Sequence, residues 1–254
     1  MRRHTEGLLP LYRLYHRNQY DLVDPAVTVD GDRDWPTGEY REFTRLPAET
    51  PSESFDPDDS AFLRRLRSRS SFDDATEPRP VSRDELFAVL ASAYRVTPET
   101  GTRPVASAGQ LYPLELYPLV LDAVDIDAGL YHYNPAANTL ERPADPDYVA
   151  DRFGPLDRFV ADEWTHLGAD HGVSVMLLVA GLPSRSTVKY GERGYLFTLV
   201  EAGAVIHAVQ LAAGHLGIGS RPYAGFRYDA VDELLGLADE SDEWALVSVA
   251  LAGP

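Results

Sequence analysis

Residues 194–216 constrain the fold more than any other stretch. Leu196, Phe197, Leu199, Val200, Ala202, Val205, Ile206, Val209, Leu211, Ala212, Ala213 and Leu216 recur at helical spacing and leave almost no polar face. A helix that is apolar nearly all round is covered on every side, so in a chain of 254 residues it belongs in the core or at a subunit interface. Gly217 and Gly219 close it. Just before it stands Lys189-Tyr190-Gly191. The chain has 23 Lys plus Arg, and Lys189 is the one lysine among them. An ammonium can give up its proton where a guanidinium cannot, which makes Lys189 a candidate for chemistry. The competing reading is a surface lysine left by drift, paired with Glu192.

The other elements follow from local pattern. Ser60 caps a short helix, SAFLRRLRSR, that ends in Arg64, Arg65, Arg67 and Arg69. This is the densest positive charge in the chain. With Ser68 it suits a phosphate, unless it is only a solvated face paired with acids. Ser82 and Glu85 form a capping box for a helix with Leu86, Val89, Leu90 and Ala93 on one face. Ser107-Ala108-Gly109 is a small-residue turn feeding a strand at 114–121, and 129–133 reads as a short strand before the Asn134-Pro135 turn. Helical pattern over 146–165 is interrupted at Gly154-Pro155. The unbroken apolar run 172–182 reads as a central buried strand. A helix over 229–237, capped by Asp229, and a strand over 244–252 complete the chain.

Residues 1–60 read as an N-terminal arm: an amphipathic helix within 1–20, carrying Leu8, Leu9, Leu11, Tyr12 and Tyr15, then an irregular segment over 21–60 pinned by Trp35 and Phe43. Residues 61–254 form the main domain. The net charge of −17 opposes nucleic acid and anionic membrane surfaces. No cysteine is present, so disulfides and thiolate sites are excluded. No run approaches 18 uncharged apolar residues, and no signal peptide is visible, so the expectation is a cytoplasmic protein with no membrane contact. Asp outnumbers Glu by 24 to 16. That excess, with one lysine, is the composition expected of a salt-rich cytoplasm, or else of an ordinary acidic protein.

Several chemistries are weak or absent. His166 and His171 lie near Asp162, Glu163 and Asp170 but match no metal motif, so no metal is expected. No Gly-x-Ser-x-Gly is present. The glycines at 214, 217 and 219 follow a helix, whereas a dinucleotide fingerprint follows a strand.

Taken together the motifs resemble those of the SagB-type, FMN-dependent azoline dehydrogenases of the nitroreductase superfamily. Leu14-Tyr15-His16, Trp35-Pro36 and Arg45-Leu46-Pro47 are similar to that family's leading arm. Arg67-Ser68-Arg69 with Phe72 falls at its phosphate motif. Residues 107–115 resemble its SAG-x-x-x-PLE segment, and Gly129-Leu130-Tyr131-His132-Tyr133 its GLYHY segment. Lys189–Tyr195 resembles its KYG-x-RGY motif, and Glu201-Ala202-Gly203 and Gly217-Ile218-Gly219 continue the match. The helix departs from the usual EAGH, with Ala204 at the histidine and His207 where a glutamine is common. Ser70 and Leu66 depart from the phosphate motif, so Arg64 or Arg65 could share that grip.

The resemblance implies an α+β, nitroreductase-like fold: a central, mostly antiparallel sheet flanked by helices, in a homodimer with FMN at the interface. It implies FMN contacts from Arg67, Ser68, Arg69, Ser107, Ala108, Gly109, Ala224 and Gly225, and a catalytic pair, Lys189 and Tyr190. The implied reaction is oxidation of thiazoline or oxazoline rings in a peptide, beside a cyclodehydratase partner. A general NAD(P)H-dependent flavin or nitro reductase and a catalytically silent flavin-binding or scaffold subunit are the alternatives.

Overall fold

The computed structural model describes residues 60–71, 79–164, 167, 172–237 and 242–252. The expected arm, Phe72 and the His166–His171 pair lie outside the described residues.

The centre of the fold is β7, Val175–Gly181, and all seven of its residues are buried. A strand without a polar face needs cover on both sides. Two antiparallel neighbours flank it, and a helical layer on each face supplies the cover. The sheet runs β4 (Gly129–Leu130), β2 (Leu114–Val120), β7, β9 (Trp244–Ala252) and β8 (Gly219–Tyr223). Every pairing in it is antiparallel. A bulge between Val179 and Ala180 shifts β7 against β9 just before β7 ends. Two small pairs lie beside the sheet: β1 (Val81–Ser82) with β3 (Ala123–Val124), and β5 (His132–Asn134) with β6 (Thr139–Glu141). The expected antiparallel α+β architecture is thus the observed one.

Alternation along the strands sends side chains to two cores. Leu114, Leu116, Leu177, Val179 and Val249 pack on α2 (Arg83–Tyr94) and α6 (Arg193–His215). Leu119, Met176, Leu178 and Ala250 pack with α3 (Pro146–Phe153), α4 (Leu156–Glu163) and α7 (Tyr228–Leu235). The capping box of α2 forms as its sequence requires: Ser82 accepts from the Glu85 N–H, and Glu85 accepts from the Ser82 N–H. The break at Gly154-Pro155 separates α3 from α4. The cap expected at Asp229 is displaced. Arg227 holds that position without a side-chain cap, and Asp229 lies in the first turn of α7, where a carboxylate still favours the helix dipole.

Helix α6, expected in the core or at a subunit interface, is only partly covered within the single chain. Glu201, Ala202, Val205, Val209 and Ala213 are buried, whereas Leu196 and Val200 are 56% and 63% exposed. The exposed residues recur at 196, 199, 200 and 203, a stripe along one face. By length and composition α6 could cross a membrane, a test that core helices also pass. Its buried carboxylate and its packing on α2 are those of a core helix with one open face.

Candidate active site

The site is built on a strained turn, residues 107–112. A 3-10 turn at Ala108–Gln110 contains Gly109 at φ 64°, and Gln110 and Tyr112 also have positive φ, 57° and 46°. Left-handed backbone costs a non-glycine residue about 1–2 kcal/mol, so such a turn persists only where neighbours hold it. Ser107 Oγ accepts from the Tyr112 N–H at 2.9 Å, and Tyr112 Oη accepts from the Arg103 N–H at 3.0 Å. Behind the turn, the Arg103 guanidinium lies over the Tyr94 and Tyr112 rings at 4.1 and 4.6 Å. Its Nε and Nη1 are buried without an acceptor. Glu201 reaches this region from α6, accepting from Tyr94 Oη at 2.9 Å and hydrogen-bonding Ser107. Burial pushes the Glu201 carboxyl above its ordinary range, against the pull of those hydrogen bonds, and pushes the Tyr94 phenol up as well.

Lys189 and Tyr190 end α5 (Ser184–Tyr190), and both side chains point at this turn. A Cβ placed on Gly109 would stand 2.6 Å from Tyr190 Oη and 2.7 Å from Lys189 Nζ. The two polar atoms therefore converge on one spot and cannot be more than 5.3 Å apart. Lys189 Nζ also sits 5.3 Å from the Tyr190 ring centre, within cation–π range. The Tyr190 ring meets Phe197 of α6 edge-on, with centroids 5.0 Å apart. Helices α5 and α6 cross closely enough for this because residue 194 is glycine. A Cβ there would come 2.4 Å from the Thr187 backbone nitrogen. Residues 109 and 189–190, eighty positions apart, thus form one constellation with a proton-carrying amine and phenol at its surface.

A charged network supports the same turn from the other side. Arg185 Nη1 donates to the Tyr112 carbonyl at 3.1 Å, and Arg185 Nη2 lies 2.5 Å from Glu115 Oε1. Glu115 Oε2 meets His132 Nε2 at 2.9 Å. Burial disfavours the Glu115 carboxylate, but the hydrogen bonds and charges of His132 and Arg185 outweigh it and hold the group below its usual range. The Glu115 hydrogen bond in turn raises His132. Tyr117, whose ring lies 5.0 Å from that of His132, donates to Glu243 at 2.9 Å.

The remaining expected residues stand elsewhere. Arg67 ends α1 (Ala61–Arg67), Ser68 is its C-cap, and Arg69 follows. Ser68 Oγ donates to the Arg65 carbonyl at 3.3 Å. The dipole at a helix C-terminus repels anions, so any phosphate there would be held by the guanidiniums themselves. Helix α1 packs on the far end of α6: an atom added at Gly214 would lie 3.6 Å from the Arg65 guanidinium. Gly214 is about 20 Å along the helix from Glu201. Only an elongated ligand, or a second chain, could engage both regions. Ala224 and Gly225 follow β8. Tyr228 Oη donates to the Ala224 carbonyl at 2.9 Å, and Phe226 bridges to Trp164, which fixes the shape of that loop. Among the described residues no three potential ligands cluster as a metal site.

Sequence reasoning missed Tyr94, Arg103 and Arg185. Arg185 carried a readable signal, standing four residues before Lys189 and so on its helix face. Tyr94 and Glu201 are 107 residues apart, and no local pattern joins them.

Comparison with known proteins bears on the family and the fold. The model of the nitroreductase family matches residues 67–253. A Methanocaldococcus jannaschii protein named "Putative nitroreductase MJ1384" is 31% identical over 160 residues, 63% of this chain and 77% of that protein. The microcin B17-processing protein McbC of Escherichia coli is 27% identical over 155 residues, 59% of this chain and 54% of McbC. The chain thus spans about half the length of McbC. Among solved structures, the E. coli microcin synthetase McbBCD complex with truncated pro-MccB17 superposes with a TM-score of 0.59 at 21% identity, covering 85% of this chain and 79% of the matched one. A structure from Anabaena variabilis, named a "putative nitroreductase", gives 0.62 at 22% identity over 76% of this chain but 38% of its own. At these identities the structural likeness concerns the fold.

Proposed function

Because this chain belongs to the nitroreductase family, we propose that it is an FMN-dependent oxidoreductase that dehydrogenates azoline rings in a peptide. The observation that carries the reading is the convergence of Lys189 Nζ and Tyr190 Oη on Gly109. Similarity to McbC, a microcin-processing protein, points the substrate toward a modified peptide.

The donor chemistry of the chain fits FMN. Arg64, Arg65, Arg67 and Arg69 supply guanidiniums suited to a phosphate dianion, and Arg103 retains buried N–H groups that lack an acceptor beside the turn. Ser107, Ala108 and Gly109, with Ala224 and Gly225, would offer backbone to the ring; the Ser107 hydroxyl is already committed to Tyr112 and Glu201. When bound, FMN supplies a two-electron acceptor. The chain's own task is then the proton. Converting an azoline to an azole removes one hydride equivalent and one proton, and Lys189 with Tyr190 presents a base and a paired donor where that proton leaves. The open stripe of α6, Leu196, Leu199 and Val200, together with the 82%-exposed Val188, supports a homodimer face. A cyclodehydratase that makes the azoline is the partner proposed with this chemistry.

Lys189→Ala and Tyr190→Phe test the assignment in FMN-loaded protein. Each is expected to lower azoline oxidation by about 10²-fold or more while leaving the flavin spectrum intact. Unchanged rates would sink it. The 31% identity to the archaeal relative favours a second reading, a general NAD(P)H-dependent reductase. Rapid bleaching of the bound flavin by NAD(P)H, without azoline turnover, selects that reading. A purified protein that stays colourless and resists FMN loading selects a silent subunit.

A further inference from the structure

Helix α5 is only seven residues long, and its last two carry the proposed reacting pair. Such a helix has little stability of its own, so something must fix where its end stands. Tyr190 is braced by Phe197. The long Lys189 side chain is exposed, yet it reaches Gly109. Residues four apart share a helix face, so Arg185 points the same way as Lys189, one turn earlier. Its guanidinium binds the Tyr112 carbonyl with one nitrogen and Glu115 with another. Tyr112 is itself one of the positive-φ residues of the turn. Arg185 is therefore joined at once to the strained turn, to the first residues of β2, and to the helix that bears Lys189.

The fork geometry of arginine makes this a directional joint. A planar guanidinium held by a carboxylate at one terminal nitrogen and a carbonyl at the other fixes both distance and angle. Glu115 is held on its other oxygen by His132. The chain of contacts runs His132, Glu115, Arg185, Tyr112, and the turn then presents Gly109 to Lys189.

We infer that Arg185, anchored by Glu115, is a positioning residue: it sets the separation between the Lys189 ammonium and the Gly109 turn. This rests on the reading of Lys189 and Tyr190 as the reacting pair, but its test needs neither cofactor nor turnover.

Lys189 is the sole lysine, so protein labelled with carbon-13 lysine and glycine gives one lysine spin system. Lys189 Cδ lies 3.5 Å from the Gly109 Cβ position, close enough for a nuclear Overhauser cross-peak between the lysine side chain and the Gly109 α-protons. The cross-peak is expected in the parent and lost in Arg185→Gln. Arg79→Gln is the control. It breaks the Arg79–Glu85 pair, also a hydrogen-bonded ion pair, and should lower the melting temperature while keeping the cross-peak. A merely structural role for Arg185 predicts the control's behaviour, so an unchanged cross-peak in folded Arg185→Gln overturns the inference. If Arg185→Gln does not fold, Glu115→Gln is read the same way: it keeps the side-chain size and removes the anchoring charge, so a weakened cross-peak supports the inference and an unchanged one overturns it. Retained turnover in Lys189→Ala alongside a cross-peak lost in Arg185→Gln would remove the reacting pair and leave the positioning contact standing.

Discussion

Gly109→Ala separates stability from chemistry at this site. The backbone there has φ 64°, and an added Cβ costs about 1–2 kcal/mol in that left-handed conformation. The new methyl would also meet Tyr190 Oη at 2.6 Å and Lys189 Nζ at 2.7 Å. Ordinary contact begins near 3.4 Å, so each polar atom must retreat by roughly 0.7–0.8 Å. Lys189 Nζ ends a flexible side chain and retreats at little cost, whereas the Tyr190 phenol must shift against its contact with Phe197. The melting temperature should fall by about 2–8 °C for a chain of this size. Displacing both members of a reacting pair by nearly 1 Å is worth about 10²-fold in rate. Gly101→Ala is the matched control. Gly101 has φ 68° and nothing within 4 Å of its Cβ position. It should lose similar stability and keep its rate. The assays are thermal unfolding by circular dichroism and flavin-dependent turnover, run on both variants. If Gly109→Ala keeps its rate, or if Gly101→Ala loses as much, the turn does not set the position of the pair.

The remaining predictions concern the scaffold. Gly194→Ala drives a Cβ to 2.4 and 2.5 Å of backbone atoms of Thr187 and Ser186, which cannot swing away, so it should destabilise by about 3 kcal/mol or more; a melting temperature near the parent's would mean that the α5–α6 crossing is loose. Leu177→Ala, in the middle of β7 and fully buried, should cost about 2–5 kcal/mol in denaturant unfolding. Glu85 is held down to about 2 chiefly by its hydrogen bond to Arg79, so its contribution is complete above its ordinary value of 4.5 and disappears as pH falls through about 2. Glu85→Gln should therefore cost about 1 kcal/mol at neutral pH and lose most of that difference in acid; an undiminished difference at pH 2 would contradict the ion-pair account.

What the sequence disclosed, and what it hid, divides along the range of the interactions. Ser82 and Glu85 announce their capping box because its partners are three residues apart, and the run through Leu177 and Leu178 announces a central strand because burial on both faces removes alternation. The face of α6 could not be read that way. Its composition says that apolar surface must be covered, but not whether the cover comes from its own chain, and Leu196 and Val200 stand open in the single chain. The cap of α7 moved because its Asp229 competes with a backbone already tied by Arg227 to the Glu163 carbonyl, a contact 64 positions away. The site shows the same division. Lys189 stood out as the sole lysine, and Gly109 as part of a small-residue turn, yet nothing in either segment says that they touch. Their meeting depends on Glu201 and Tyr94 holding the turn from behind and on Arg185 holding it from below. The residues of the proposed reacting pair were legible as types. The residues that place them were not, because an arginine bound to a carbonyl 73 positions away leaves no local trace.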